Sequence, residues 1–418
     1  MTAKSILARL ETWQLLVITA AVGIGFYPIE PVETKIELMG ALVLVTSIFF
    51  ARNLGDAINS ERFVNLTIII GGLIGYIVVS GFFFSPVNDY GANKYFYAYY
   101  AFAYFGLIIP WCLYRADGAK DLTWMLMGVS LVYGLISFFP TIESDNLRYS
   151  VIGLNPTLMA KLTCIASLLI VVYRPRNKMG YVLSIGTFLF GILATINTGS
   201  RGSLIALAFA YFVFSMFRGG MLPMVKAGVA LVGLVVLVYV GLQFAPIEIQ
   251  DRFTLDAVSI EENSDDGDRV VLWELAVEGI RHHALGQGLG SFSLASFVAA
   301  PHNVVLESLY ELGIFFSALL FVYLFFPLFR LKDLLARDNW YVDFLCVAYL
   351  YNLFLSFLGG ELTLSNALIY ITASMIWLLK PLEKAARRRP KTLGDVENRA
   401  ARGEPALARS GHGIESAR

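Results

Sequence analysis

Runs of roughly 17 to 25 apolar residues, separated by short polar connections, recur along almost the whole chain. Each is long enough to cross a hydrocarbon core of about 30 Å as a helix. The pattern predicts twelve spans, centred near Ala20, Val43, Leu73, Ala103, Val129, Ala166, Gly186, Phe209, Leu234, Leu320, Ala348 and Tyr370. The fold class expected is therefore an all-α polytopic membrane protein. The first run, from Trp13 to Tyr27, is followed by Pro28, Glu30 and Pro31 with no small-residue cleavage site, and is read as a retained span.

One connection breaks the pattern. Between the ninth and tenth spans, from about Pro246 to His302, lies a long polar stretch, and loops of that size in a compact protein are usually functional or structured. After the acidic run Glu261, Glu262, Asp265, Asp266 and Asp268, a helical pattern runs from Arg269 to about Arg281, with Val270, Leu272, Trp273 and Val277 as its apolar positions and the preceding aspartates as caps. Gly286, Gly288 and Gly290 end it, and a further helix begins near Asn303 and enters the tenth span. The expected organisation is spans one to nine over 1–246, a helical outer loop over 247–302, spans ten to twelve over 303–380, and a disordered, basic cytoplasmic tail over 381–418.

Composition agrees with the patterning: 57% of residues are hydrophobic and 15% charged, against about 25% charged in soluble domains. Net charge is zero, so what matters is where the charges sit. With a cytoplasmic N-terminus, 24 of the 32 Lys and Arg fall on inner segments and 7 on outer ones, with Lys161 left inside a span. Positive charge is retained on the cytoplasmic side, so both termini are expected there and the large loop outside. The short basic inner loops need no ligand to explain them, and no nucleic-acid partner is expected. Cys112, Cys164 and Cys346 lie far apart inside apolar runs and read as small core residues.

The outer face carries the candidate chemistry. His302 stands between Pro301 and Asn303 just before a helix whose first turns bear Glu307 and Glu311 on one face. Such a histidine can be neutral near pH 7 and accept a proton from a hydroxyl, or it can be an interfacial cap. The two acids are costly at the entry to a span, which favours a role in orienting His302 or neutralisation by a cation, against the alternative of a polar helix face. Arg201 sits in TGSRGS, the whole connection between the seventh and eighth spans, and guanidinium suits bidentate contact with phosphate. Arg148 and Arg269 are similar candidates. Lys161 lies about one turn inside the sixth span, where it is either a site residue or a snorkelling one. The GQGLG run has GxGxG spacing and follows no strand, so it reads as a tight turn that folds the surface helix back onto the bundle and not as a nucleotide loop. His282 and His283 point about 100° apart on a helix and make a poor chelate; neither metal nor cofactor is expected.

Taken in order, TGSRG after a mid-chain span, then DRVVLWELAVEGIRHHALGQGLGSF, then PHNVVLESLYELGIF at the entry to a span resemble the O-antigen ligase and polymerase superfamily of bacterial membrane glycosyltransferases. The resemblance covers roughly Arg148 to Gly313. It implies an inner-membrane enzyme, working on the periplasmic face, that uses an undecaprenyl-pyrophosphate-linked glycan as donor and, for a ligase, a lipid A-core sugar as acceptor. It also implies His302 as the essential base and Arg201 and Arg269 as essential arginines. Arg148 and Lys161 would assist at the pyrophosphate, while Glu307, Glu311, Asn303 and Trp273 would orient or support. Chain length and the single large loop favour ligase over polymerase. A transporter or flippase is the reading from another class, disfavoured because the candidate groups cluster at one face.

Overall fold

The computed structural model describes chiefly residues 61–84, 89–108, 118–138, 156–173, 177–219, 221–243, 267–296, 300–337, 339–359 and 365–379. The expected span near Ala20, most of the one near Val43, Arg148, and the tail after Lys380 lie outside the described residues. The regular structure of the described residues is helical apart from a two-residue antiparallel pair, β1 (Ile142–Glu143) and β2 (Tyr149–Ser150). Among the described residues six helices are long and apolar enough to cross a membrane, and three shorter apolar ones accompany them. This is a multi-pass membrane protein.

In chain order the helices are α1 (Glu61–Phe83), α2 (Asp89–Tyr99) continued by a π-helix (Tyr100–Ile108), α3 (Gly118–Ser137), α4 (Pro156–Ser167), the short α5 (Leu169–Val172), α6 (Lys178–Asn197), α7 (Arg201–Arg218) and α8 (Met221–Leu242). Then follow α9 (Gly267–His282), the short α10 (Phe292–Ala295), α11 (Val304–Phe329), α12 (Leu331–Leu335), α13 (Trp340–Gly359) and α14 (Asn366–Leu378). Each expected centre from Leu73 onward falls on one of these elements. The regions near Ala166 and Tyr370 are shorter apolar helices than a full span, Met159–Val172 and Ala367–Leu378.

The centre of the bundle is α13, buried along nearly its whole length. Helix α7 packs along it in the opposite direction: Arg218, at the end of α7, pairs with Asp343 at the start of α13 at 2.8 Å, and the Phe209 and Phe354 rings stack at 4.0 Å further along. Arg201, the first residue of α7, therefore belongs to the same end of the bundle as Gly359, the last residue of α13. Small and hydroxylic residues join α3, α4 and α6. Ser130 Oγ donates to the Thr163 carbonyl at 3.0 Å and accepts from the Ala166 amide at 2.8 Å, and the Thr163 and Thr195 hydroxyls lie 3.1 Å apart. Such contacts are how helices associate where lipid offers no hydrophobic drive.

The surface helix of the large loop forms as its sequence predicts, over Gly267–His282, but its buried face differs from the expected one. Leu272 and Ala276 are buried and pack with Phe292 and Tyr310, whereas Val270 and Val277 are exposed. The face is decided by Gly279 further along the helix, against which the Tyr310 ring packs so closely that a methyl group there would lie 2.1 Å from it.

Helix α11 is two pieces. Gly313 has φ 76° and ψ −178°, which breaks the helix after two and a half turns. The glycine run of the loop fills the break: the Gln287 and Gly288 amides donate to the Glu311 carbonyl at 3.1 and 2.8 Å, and the Ile314 amide donates to the Ala284 carbonyl at 2.9 Å. Backbone groups freed by the break are thereby satisfied inside protein, as an apolar surround requires. A Cβ on Gly286 would stand 2.6 Å from the Glu311 carbonyl oxygen, and one on Gly313 would stand 2.3 Å from Leu285. The run is a wedge seated in α11, which is more than the simple turn its spacing suggested.

Candidate active site

The sequence candidates are gathered by one feature that carries no side-chain chemistry, the last three carbonyls of α13. Helix ends leave such carbonyls without intrahelical partners, and the aligned peptide dipoles make that end favourable to cations. Asn303 Nδ2 donates to the Phe357 carbonyl at 3.0 Å, Arg269 Nη1 to Leu358 at 3.1 Å, and Lys161 Nζ to Gly359 at 2.9 Å. Three residues separated by up to 142 positions, on α4, on α9 and before α11, thus meet on one helix end. Lys161 starts lower in the bundle, where the Tyr351 hydroxyl donates to its carbonyl at 3.3 Å, and its side chain runs along α13 to reach that end.

His302 adjoins Asn303. Asn303 is the N-cap of α11, its Oδ1 accepting from the Val305 and Leu306 amides at 3.0 and 3.2 Å, so the residue before it is fixed at the mouth of the helix. His302 itself has φ 53°, the one non-glycine among the described residues in the left-handed region. A β-carbon there costs about 1–2 kcal/mol, so the surroundings must hold it. One holder is Trp273, whose Nε1 donates to the Pro301 carbonyl at 2.9 Å. The imidazole is partly exposed. Arg201 is also partly exposed, at the same end of the bundle, where it follows the three-residue turn between α6 and α7 in which Gly199 has φ 68°.

Glu307 and Glu311 are completely buried, and the cation opposite them is Lys94 of α2, which was not among the candidate residues. Lys94 Nζ lies 2.6 Å from Glu307 and 2.7 Å from Glu311, with the ring of Tyr90 at 5.6 Å. The other oxygen of Glu307 accepts from the Leu362 amide at 2.7 Å, just beyond α13. The cluster therefore ties the first half of α11 to α2 and to the segment after α13. The signal was in the sequence: a lone lysine in the aromatic stretch NKYFYAYYAFAYF, and two acids entering a span that needed a cation. The α13 carbonyls left no such trace, because any residue supplies one.

His282 Nε2 donates to Glu278 Oε1 at 2.9 Å on the exposed face of α9, and Arg281 lies 3.5 Å from the same carboxylate, so this patch is a local helix pairing. Among the described residues no three His, Cys, Asp or Glu side chains gather as metal ligands.

No curated protein matches the chain. Residues 186–322 match the family model described as O-antigen ligase. That stretch runs from the middle of α6 to the second half of α11 and holds Arg201, Arg269, Trp273, His302, Glu307 and Glu311, and it identifies in this membrane protein a domain of the O-antigen ligase superfamily.

Proposed function

We propose that this protein is a glycosyltransferase that moves an O-antigen glycan from undecaprenyl pyrophosphate to a lipid A-core sugar. The observation that carries the reading is the convergence of Arg269, Lys161 and Asn303 on the end of α13, beside a strained His302 and at the same end as Arg201. In this reading His302 takes the proton of the acceptor hydroxyl as its oxygen bonds to the anomeric carbon of the donor. The bond from that carbon to the pyrophosphate oxygen breaks on the opposite side, so the configuration inverts, and the electron pair leaves with the pyrophosphate. Arg201 and Arg269, with Lys161 and Arg148, stabilise the charge that grows there, the work of preorganised cations in a water-poor site. Asn303 and Trp273 hold His302, and Glu307 and Glu311 act from behind through the α11 backbone.

The positive-inside pattern supports a periplasmic site in the inner membrane with both termini cytoplasmic. Ligase is preferred over polymerase on chain length and the single large outer loop.

The test is a gene deletion read on gels of lipopolysaccharide and lipid-linked glycan. Long polymer held on the carrier with bare lipid A-core is the ligase outcome, and it should be corrected by the wild-type gene and not by His302→Ala. Single repeats on the core would instead make the protein a polymerase. Unchanged glycans would overturn both.

A further inference from the structure

At the end of the bundle opposite His302, a cavity of about 910 Å³ opens between α3, α5, α6 and the start of α13. Its size is that of a ligand pocket, which runs about 300–1,000 Å³. Its lining is graded. The Thr123 hydroxyl donates to the Tyr341 carbonyl at 3.3 Å, which sets the first turns of α3 level with the first turn of α13. From there Trp124, Met127 and Leu131 carry one wall about 10 Å inward at 1.5 Å per residue. On the facing wall Asn177 caps α6 at the same level, and Leu183 and Thr187 lie about 1.7 and 2.8 turns further in. The inner part is therefore apolar, with Leu169 and Val172 closing it, and the polar groups Arg218, Asn177, Asp343 and Tyr173 sit at the outer level.

Two charged features decide what fits. Arg218, one fifth exposed, gives one edge of its guanidinium to Asp343 at 2.8 Å and lies over the Phe214 ring. The exposed Lys120 and Lys178 stand at the starts of α3 and α6, at the same level. Trp340, Trp124 and Tyr173 form an edge-to-face cluster with ring centroids 5.1–6.1 Å apart, the amphipathic aromatics that collect at a headgroup boundary. An apolar slot running inward from a cationic, aromatic mouth takes a molecule with an acyl chain and an anionic head.

We propose that this cavity is a binding site for one anionic phospholipid, its chain between α3 and α6 and its phosphate at Arg218, Lys120 and Lys178. By the positive-inside pattern the lipid comes from the cytoplasmic leaflet, where clustered Lys and Arg attract anionic lipid. The site is separate from the His302 end and rests on no reading of it.

The test is native mass spectrometry of the full chain in detergent, offered an equimolar mixture of dioleoyl phosphatidylglycerol and dioleoyl phosphatidylcholine. The expected result is one phosphatidylglycerol retained at least tenfold over phosphatidylcholine. Thr187→Trp, which fills the slot, should reduce that retention at least tenfold with an unchanged unfolding midpoint. The exposed double variant Lys120→Gln/Lys178→Gln should bring phosphatidylglycerol down towards the phosphatidylcholine level, and it serves if the filled variant does not fold. Equal retention of the two lipids by the wild-type chain, or undiminished phosphatidylglycerol on the double variant, would overturn the proposal.

Discussion

Lys94 Nζ lies 2.6 Å from Glu307, and that contact joins α2 to the helix that begins beside His302. Lysine and both carboxylates of its cluster are buried, at 2% exposure or less. Removing the cation alone leaves two carboxylates facing each other away from water, whereas removing all three charges leaves a merely polar site. Breaking a buried ion pair on one side costs about 3–5 kcal/mol, and replacing the whole set is often near neutral. Lys94→Met should therefore strongly lower folded yield and the unfolding midpoint in detergent. The triple variant Lys94→Met/Glu307→Gln/Glu311→Gln should recover most of that loss. If the triple variant is no more stable than Lys94→Met, the carboxylates are not what the lysine is there to balance.

The wedge of the large loop makes a second expectation. Gly286 has φ 91°, and any β-carbon would press on the Glu311 carbonyl, so Gly286→Ala combines a left-handed conformation with a clash against backbone. The conformational part alone costs about 1–3 kcal/mol. Gly186, in the middle of α6, has open space around it, and there an alanine should be neutral or stabilising by about 0.5–1 kcal/mol. Unfolding midpoints of the two single variants should move in opposite directions.

These positions show what could be read from sequence and what could not. The six long apolar helices were legible because length and apolarity alone decide them, and the helix of the large loop was legible from its apolar period. Its buried face was not, because Val270 and Val277 are as apolar as Leu272, and only the contact between Gly279 and Tyr310 chooses between the sides. The candidate cations Arg269 and Lys161 were visible as charges in unfavourable places. That they share one helix end was invisible, since a carbonyl at residue 358 or 359 is common to every amino acid. The break at Gly313 was equally hidden, because one glycine in an apolar run is ordinary until another segment is found to fill the gap.

Arg269 joins the end of α13 to the loop helix, and its charge lies at the negative, C-terminal end of the α13 dipole. Arg269→Gln keeps a donor and loses the charge. The change should cost about 0.3–1 kcal/mol in stability, the worth of a cation at a helix C-terminus. In the proposed reaction it should cost far more in transfer, because a cation stabilising a leaving pyrophosphate contributes most in the transition state. The check is the rate of glycan transfer set against the unfolding midpoint. A loss of transfer no larger than the loss of folded protein would reduce Arg269 to a cap.

Trp273 gives a sharper test of positioning. Phenylalanine at this site keeps an aromatic ring and loses the Nε1 bond to the Pro301 carbonyl. A neutral hydrogen bond of this kind contributes about 0.5–1.5 kcal/mol, so Trp273→Phe should fold. It frees the residue before His302, so transfer should fall severalfold, while binding of the lipid-linked donor stays close to wild type. Equal transfer in the two proteins would mean that Asn303 and the helix cap hold His302 unaided.

His302 itself can be separated into its backbone and its ring. At φ 53° alanine retains the strain of a β-carbon and glycine does not, so His302→Gly should be more stable than His302→Ala by about 1 kcal/mol. If the residue served only as a turn, glycine would serve it better, and transfer would survive in His302→Gly. If the ring is the base, both variants lose transfer whatever their stability, and the space left in His302→Gly gives free imidazole a place to work. Added imidazole should then restore part of the rate in that variant, with a pH dependence that follows the neutral fraction of the added base and rises through its own pKa. Transfer by His302→Gly at the wild-type rate without imidazole would remove the histidine from the chemistry and leave Arg201, Arg269 and the end of α13 as a binding site in need of another base.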